Sequence, residues 1–277
     1  MSVDFLTEMA AASAQRVHAA RRIVPEDRLA EQVRRAPRPP LLRLDPSGFD
    51  LIAELKLRSP AAGALAGSGG ALAQRLIAYA RAGAAAVSVL TEPSRFDGSL
   101  EHLNEAAQQL APLRLPVMRK DFLVDPYQLL EARAAGASGA LVIVRMVSRA
   151  TLDELIERAA TLGLFVLLEA FDARDLTVMR ELTATHGGSA TLLAGINCRD
   201  LATLEVVPGR LIELAPLLPR DVPCVAESGV ASAADAARVA AAGYRLALVG
   251  SALMRSDDPA ALAQALLVAG RAAARAR

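Results

Sequence analysis

Short runs of hydrophobic residues alternate along the chain with longer amphipathic stretches. Three segments share one pattern, in which an Ala-rich helical end passes through a glycine into an apolar run: 80–90, 132–144 and 238–250. A helix that ends at a C-cap glycine and leads into a buried strand has this pattern. Eight apolar runs fit a strand of this type, and they are centred near Ile52, Val89, Val117, Val142, Val166, Leu193, Val225 and Leu248.

Helical patterns fill the segments between these runs, and two of them begin with recognisable capping residues. Pro126 follows Asp125, and Thr151 with Glu154 three residues later predicts a capping box. Strands that alternate with helices form a parallel sheet, and eight such units favour a closed (β/α)8 barrel. An open dinucleotide-binding sheet usually carries GxGxxG after its first strand, and none appears here.

The pattern divides the chain into two parts. We predict an α/β fold with a (β/α)8 TIM barrel over residues 49–277 and an N-terminal helical extension and linker over residues 1–48. The Pro- and Arg-rich stretch 34–48 is expected to join the two. We expect the extension to pack over one mouth of the barrel, and the sequence does not indicate which.

Composition excludes several classes of partner. Hydrophobic residues make up 53% of the 277 residues, enough for a large core, while 31 basic and 30 acidic residues leave a net charge of +1. This balance gives no reason to expect a nucleic acid or a membrane as partner. Neither a secretory signal nor an apolar run of membrane-spanning length is recognisable. We expect a cytoplasmic protein, a monomer or a weak homodimer.

Polar residues stand where the predicted strands end. Glu54 and Lys56 share one strand face with Ile52, because alternate residues of a strand point the same way. Active sites of (β/α)8 barrels form at the carboxyl ends of the strands. Other polar residues follow the apolar runs in the same way: Ser59, Thr91, Glu92, Arg119, Lys120, Asp121, Arg145, Glu169, Asn197, Arg199, Glu227 and Ser228. A single one could be a solvated loop residue, and Glu54 with Lys56 could be a structural ion pair, but together they predict an active site.

Glycines after the last two strands indicate a phosphate site. Gly229 follows strand seven, and Gly250 with Ser251 follows strand eight, where barrels commonly bind phosphate through backbone N–H groups. The alternative is that these glycines only make turns. No His, Cys or Asp cluster has metal-ligand spacing, the two cysteines form neither a disulfide framework nor a CxxC site, and no organic cofactor is evident. We therefore expect Lys, Glu and Asn chemistry on a phosphorylated small molecule.

Six segments resemble, in the right order, the indole-3-glycerol-phosphate synthase family of tryptophan biosynthesis. They are LIAELKLRSPAAG, VSVLTEPSRFDGSLEHL, PVMRKDFLVDPYQLLEARAAGA, GINCRDLATLEV, VAESGV and LVGSALMR, and the likeness covers about residues 48–260. The resemblance implies a carbon–carbon lyase without a cofactor. Its reaction would be the decarboxylative and dehydrative ring closure of 1-(2-carboxyphenylamino)-1-deoxyribulose 5-phosphate to indole-3-glycerol phosphate, CO2 and water.

The resemblance also implies roles for individual residues. Lys120 would be the general acid, Glu169 the general base, and Asn197 a hydrogen-bond partner near the substrate's polar centre. Lys56, oriented by Glu54, would bind the substrate carboxylate or share the acid role, and which lysine acts at which step stays open. Binding contacts would come from Ser59, Gly229, Gly250 and Ser251 at the phosphate, Glu227 and Ser228 at the hydroxyls, Arg199 in the supporting network and Phe122 at the anthranilate ring. A lysine can donate a proton near neutral pH if burial and neighbouring positive charge lower its pKa, to roughly 7–8 in enzymes.

The chain departs from the family pattern at several positions. Ala61-Ala62 replaces a Ser-Lys pair, Phe171 stands where a His is common, Cys198 replaces an Asn, and Arg145 stands where a small or apolar residue near the aromatic pocket is expected. Arg145 and the first loop motivate an alternative, a paralogue that acts on a substituted anthranilate-derived substrate in a specialised pathway.

Two further alternatives fit the residues less well. A phosphoribosylanthranilate isomerase would use a Cys and Asp pair, and the first strand offers no Cys. A non-catalytic phosphate-ligand-binding barrel would have no need of five buried polar groups, which are Glu54, Lys56, Lys120, Glu169 and Asn197.

Overall fold

Eight parallel strands close into a barrel. The structure, a computed structural model, describes residues 5–59, 63–64, 69–200, 203, 205–207 and 209–277, and at 59, 64 and 69–71 it describes the backbone alone. The barrel strands are β1 (Asp50–Leu55), β2 (Ala86–Leu90), β3 (Val117–Lys120), β4 (Gly139–Ile143), β5 (Phe165–Ala170), β6 (Leu192–Asn197), β7 (Cys224–Glu227) and β8 (Leu246–Val249). Each strand pairs with the next, and β1 pairs with β8. The predicted fold class is confirmed, and all eight predicted strand centres fall inside these strands.

Helices surround the barrel and precede it. They are α1 (Phe5–Ile23), α2 (Glu26–Arg35), α3 (Gly69–Ala82), α4 (Pro93–Phe96), α5 (Leu100–Leu110), α6 (Tyr127–Ala134), α7 (Arg149–Leu162), α8 (Ala173–His186), α9 (Arg210–Leu214), α10 (Ala233–Ala241), α11 (Ser251–Arg255) and α12 (Pro259–Arg275). A two-stranded hairpin, Arg58–Ser59 with Gly63–Ala64, follows β1. Within the described ranges, no helix is long and apolar enough to cross a membrane.

Strand alternation separates two cores. In β1, Leu51 and Ala53 pack outward against the helices, whereas Ile52 points into the barrel. Burying one such large aliphatic side chain contributes about 1.5–3 kcal/mol. The barrel interior is filled by residues of this second set: Ile52, Met118, Leu141, Phe165, Leu167, Leu193, Val225, Leu246 and Leu248. This layer supports the strand ends from below and so fixes where their polar side chains lie.

The N-terminal helices pack on the mouth and on the side of the barrel. Helix α1 lies over the carboxyl ends of the strands, where the hydroxyl of Ser13 donates a hydrogen bond to the Phe122 carbonyl. Val17 of α1 packs with α2 and with Tyr127 of α6 on the side of the barrel. Leu44, beyond α2, packs against the apolar core of the barrel interior. The expected covering of one mouth is therefore found at the mouth formed by the carboxyl ends, while the division at residue 48 stays a prediction.

The local end signals are partly confirmed. Gly83, Gly136 and Gly243 have φ of 88°, 89° and 109°, the left-handed conformation expected of C-cap glycines. The capping box predicted at Thr151 and Glu154 is wrong. Helix α7 begins one turn earlier, because the hydroxyl of Ser148 accepts a hydrogen bond from the Thr151 N–H. Ser148 thus satisfies the first free backbone donor, and Thr151 already lies inside the helix.

Candidate active site

A cavity of about 430 Å³ opens at the carboxyl ends of the strands. Twelve of the thirteen site residues predicted from the sequence line it: Glu54, Lys56, Lys120, Phe122, Glu169, Asn197, Arg199, Glu227, Ser228, Gly229, Gly250 and Ser251. The side chain of the thirteenth, Ser59, and the substituted pair Ala61-Ala62 lie outside the described residues. The structure therefore brings together, in one cavity, side chains that the sequence spreads over almost 200 positions.

Lys120 lies at the centre of the charged groups. It ends β3 and points into the barrel like Met118 two residues earlier, and its Nζ lies 2.9 Å from Glu169 Oε2 and 3.4 Å from Glu227 Oε2. Burial would lower the pKa of Lys120, but the carboxylates of Glu169, Glu227 and Glu54 outweigh it and raise the pKa above its ordinary value. The condition for a lowered lysine pKa is not met, because the neighbours of Lys120 are negative. The ammonium group stays protonated at neutral pH.

Glu227 is a buried carboxyl beside another carboxyl. Only 1% of the residue is exposed, and its Oε1 has no hydrogen-bond partner among the described residues. Burial and the neighbouring Glu169 raise the pKa of Glu227 well above its ordinary value, and Lys120 opposes this only in part. Two carboxyl groups at one cation do not both ionise easily.

Glu54 and Lys56 form an ion pair at the end of β1. Lys56 Nζ lies 2.9 Å from Glu54 Oε1, and both side chains are largely buried. Burial would raise the pKa of Glu54, but Lys56 and Lys120 outweigh it and hold the pKa below its ordinary value. A Cβ at Gly250 would lie 2.1 Å from Glu54 Oε1, so the neighbouring strand can approach this pair only as glycine. The prediction that the two side chains share a face is confirmed.

Asn197 connects the charged centre to the loop after β6. Its Nδ2 donates to Glu169 Oε1 at 3.3 Å, and its Oδ1 accepts from the Arg199 N–H at 2.9 Å. The Arg210 guanidinium donates to the backbone carbonyls of Asn197 and Arg199. The amide of Asn197 is therefore held in one orientation from both sides.

One wall of the cavity is aromatic. Phe122, two residues after Lys120, lies with its ring centroid 5.8 Å from that of Phe5 and 6.3 Å from that of Phe96. All three rings line the cavity. Sequence reasoning found Phe122 but missed the other two. The chain has only six phenylalanines, so three of them at one cavity form a marked concentration.

The opposite wall is made of backbone and small residues after β7 and β8. Ser228 and Gly229 adopt φ of 65° and 71°, and a non-glycine residue in this conformation is uncommon outside functional sites. Gly250 and Ser251 lie beside them on the cavity surface, and Arg255 of α11 lies at the same wall. Sequence reasoning missed Arg255. Its guanidinium has no ion-pair partner in the part of the chain that the structure describes.

Three polar residues at the ends of β2 and β3 hold helix α1 in place through its Arg16. Asp121 accepts hydrogen bonds from Thr91 at 2.8 Å, from Arg119 at 3.0 Å and from Arg16 of α1 at 2.7 Å. We call Arg16, Thr91, Arg119 and Asp121 the β3 clamp. Burial would raise the pKa of Asp121, but Arg119 and Arg16 outweigh it and lower the pKa. Glu92, the remaining polar residue here, caps α4 through the backbone N–H groups of residues 94 and 95.

Lysine is absent from the rest of the protein. The sequence contains two lysines and 29 arginines, and both lysines, Lys56 and Lys120, line the cavity. An arginine side chain does not release its proton in proteins, whereas a lysine can. Lysine, which can release its proton, therefore occurs only in the cavity, beside its carboxylates. This count is a sequence signal that points to the same two residues.

Comparisons with known proteins give the family of the chain. The sequence model of one family, described as indole-3-glycerol phosphate synthase, matches residues 6–266. The chain belongs to this family. An indole-3-glycerol phosphate synthase of Mycolicibacterium vanbaalenii is 41% identical over 246 residues, which cover 88% of this chain and 86% of that one. A multifunctional tryptophan biosynthesis protein of Schizosaccharomyces pombe is 40% identical over 228 residues, which cover 81% of this chain and 29% of the larger protein.

Solved structures of lower sequence identity share the fold of this member of the indole-3-glycerol phosphate synthase family. A 3-hexulose-6-phosphate synthase from Salmonella typhimurium superposes with a TM-score of 0.60 at 16% identity and covers 80% of this chain and 98% of that chain. At this identity the likeness supports the (β/α)8 barrel and nothing finer.

Two departures from the family pattern have structural explanations. Arg145 does not line the cavity: its guanidinium pairs with Asp172 and with Asp175 at 2.5 and 2.7 Å and lies 5.1 Å from the Phe171 ring centroid. The expectation that it stands near the aromatic pocket is wrong, since these carboxylates at the start of α8 draw it away. Cys198 is buried, and a Cβ at Gly229 would lie 2.8 Å from its Sγ. The guanidinium of Arg145 and the ring of Phe171, the two departures at this place, are therefore in contact with each other near the start of α8.

Other residues with metal-binding or nucleophilic chemistry lie away from the cavity or are buried. Burial raises the pKa of both thiols, that of Cys224 to about 12, and both cysteines are unpaired. Among the described residues, no group of three or more His, Cys, Asp and Glu side chains could hold a metal ion. The three histidines, which are His18, His102 and His186, do not line the cavity.

Proposed function

We propose that the protein is an indole-3-glycerol-phosphate synthase that serves tryptophan biosynthesis. It would convert 1-(2-carboxyphenylamino)-1-deoxyribulose 5-phosphate to indole-3-glycerol phosphate, CO2 and water, as a carbon–carbon carboxy-lyase. The observation that carries the proposal is the Lys120–Glu169 pair, 2.9 Å apart, between an aromatic wall and a glycine-lined wall of one cavity. The family membership and the names of the relatives support the same reaction.

The two walls match the two ends of this substrate. Its anthranilate ring would lie against Phe5, Phe96 and Phe122, since aromatic rings favour edge and offset contacts of this kind. Its phosphate would bind backbone N–H groups around Gly229 and Gly250, with Ser251 beside them. Ser59, whose side chain lies outside the described residues, stays a predicted phosphate contact. Holding both ends orients the ring carbon toward the carbonyl, and orientation of this kind lowers the barrier by up to about 7–11 kcal/mol.

The charged centre lies between these ends, where the bonds change. The ring carbon that bears the carboxylate attacks the C2 carbonyl, and Lys120 gives its proton to the carbonyl oxygen. Loss of CO2 then returns the electron pair to the ring. In the last step the new hydroxyl leaves as water, and Glu169 removes a proton from C1. Each proton transfer by a positioned group contributes about 10²–10⁴-fold to the rate.

The raised pKa of Lys120 fits this role. The developing alkoxide is a stronger base than an amine, so a proton still moves from the ammonium to oxygen. The carboxylates that raise the pKa also keep the donor loaded at neutral pH. Lys56 would bind the substrate carboxylate or supply the proton for the leaving hydroxyl, with Glu54 orienting it at 2.9 Å. Asn197 would steady Glu169 through its hydrogen bond.

The test is steady-state turnover of the carboxyphenylamino-deoxyribulose phosphate, followed by the fluorescence of the indole product. Wild type would run beside Lys120→Ala and Glu169→Gln, with Asp221→Asn as a control because Asp221 is exposed and does not line the cavity. We expect turnover in wild type and in the control, and a loss of about 10²-fold or more in both site variants. Absence of turnover in folded wild type would refute the proposal.

A further inference from the structure

The carboxyl of Glu227 reaches Lys120 across a neighbouring strand. Glu227 ends β7, Lys120 ends β3, and Glu169 lies on β5, with β6 between β5 and β7. In the strand register Glu169 pairs with Gly195 of β6, and Gly195 pairs with Val225, two residues before Glu227. Gly195 therefore lies beside Glu169 and directly below the side chain of Glu227. The path from Glu227 to the other two groups passes over this glycine.

The space above Gly195 is filled by Glu227 itself. A Cβ at Gly195 would lie 2.2 Å from Glu227 Oε1 and 3.2 Å from its Cδ, and 3.0 Å from Cδ1 of Leu167. A contact of 2.2 Å between heavy atoms is impossible, so any side chain at 195 would displace the carboxyl. Gly195 has no positive φ, so turn geometry gives no reason for a glycine here.

We propose that Gly195 is a positioning residue. Because it has no side chain, it leaves a slot above β6 through which the side chain of Glu227 extends and places its carboxyl against Lys120 and Glu169. The inference deepens the proposed synthase function and rests on it for the consequence in catalysis. The slot sets the position of the second carboxyl at the proton-donating lysine. Glu227 would thereby influence the reaction through Lys120.

The charge state of the cavity agrees with this arrangement. The charged groups around Glu227 come from several strands: Lys120, Glu169, Glu54, Lys56 and Arg199. With Oε1 buried and without a partner among the described residues, an ionised Glu227 would be costly. Burial and the neighbouring Glu169 raise the pKa of Glu227, so the arrangement opposes two full negative charges beside one lysine.

The decisive experiment is a double-mutant cycle with Gly195→Ala and Glu227→Asp. We expect Gly195→Ala alone to lower kcat by about 10²-fold, the effect of misplacing a catalytic group by about 1 Å. Glu227→Asp shortens the side chain by one methylene and withdraws it from the new Cβ. In that background Gly195→Ala should lower kcat by less than about twofold further, because the carboxyl no longer lies against the added methyl group. Gly188→Ala, at an exposed glycine with no atom within 4 Å of the added Cβ, is the control.

A second measurement is independent of turnover. With lysine labelled at its ε positions, NMR would follow two side chains only, Lys56 and Lys120. Gly195→Ala should lower the pKa of Lys120, since one of its carboxyl partners moves away. An equal loss of kcat from Gly195→Ala in both backgrounds, or an unmoved Lys120 titration, would overturn the inference. Absence of wild-type turnover would instead refute the proposed function, while the NMR result would still decide the slot.

Discussion

Replacing Asp121 by Asn tests the β3 clamp that holds α1 over the cavity. The substitution keeps the shape of the side chain and one acceptor oxygen, which can still bond the Phe122 N–H, 2.8 Å away in the native protein. It removes the negative charge that faces Arg119 and Arg16 at 3.0 and 2.7 Å. Asp121 and Arg119 are at most 4% exposed, so solvent cannot replace the lost carboxylate.

The size of the expected loss of stability depends on the carboxylates that remain near Arg119 and Arg16. Removing one partner of a buried ion pair costs about 3–5 kcal/mol. Glu131 still lies 3.1 Å from Arg119, and Glu92 lies 3.6 Å from Arg16, so part of the compensation survives. We therefore expect Asp121→Asn to lower the free energy of unfolding by about 3 kcal/mol at neutral pH, the lower end of that range.

Urea unfolding as a function of pH separates this charge effect from a packing effect. The pKa of Asp121 is lowered in the folded protein, so its contribution is present above the unfolded value near 3.9 and is lost as pH falls through the folded value. The difference between wild type and Asp121→Asn should close below about pH 4. Asp221→Asn, at an exposed site, should change little. A difference under about 0.5 kcal/mol at pH 7, or one that does not change with pH, would refute the reasoning.

Three other variants test the two walls of the cavity and Arg145, which was expected near the cavity but does not line it. Phe5→Ala should raise KM about tenfold with little change in kcat, because the ring contributes binding on the aromatic wall, whereas Ile23→Ala at the exposed end of α1 should leave KM unchanged. Arg255→Ala should raise KM about three- to tenfold and weaken its salt dependence, and an unchanged salt dependence would place Arg255 away from the bound phosphate. Arg145→Ala should keep kcat/KM within about twofold of wild type, and a larger loss would show that Arg145 reaches the substrate after all.

The sequence predicted the elements and the residues at their ends because those depend on local periodicity. Apolar runs identified all eight strands, and alternation put Glu54 on the interior face of β1 beside Ile52. Once a closed barrel is inferred, the carboxyl ends of the strands must meet at one mouth. For this reason, residues as distant as Lys56 and Ser251 could be assigned to one site before any contact was known.

The rest depends on contacts between distant residues that no local pattern encodes. Phe5 reaches the cavity because α1 docks on distant parts of the chain, where for example Ser13 bonds the carbonyl of Phe122, 109 positions away. Likewise, the direction of the pKa shift at Lys120 follows from carboxylates on other strands. The periodicity of the sequence does not say how far each of them lies from the lysine. The N-cap of α7 was misassigned for a smaller reason, since two candidate hydroxyls lie three residues apart and only the backbone decides between them.

The position of α1 in the chain has a consequence for how the site is completed during synthesis. Helix α1 is made before the barrel, yet the surfaces it docks on, at Phe122 and Tyr127, emerge about a hundred residues later. Until then Met9, buried in the finished protein, lacks the barrel residues that cover it, and Val17 can pack only against α2. Helix α1 must therefore stay undocked while the barrel strands are synthesised. Helix α1 can dock only after Lys56 and Lys120 have emerged, so both lysines of the cavity are exposed to water in the nascent chain before their covering helix is in place.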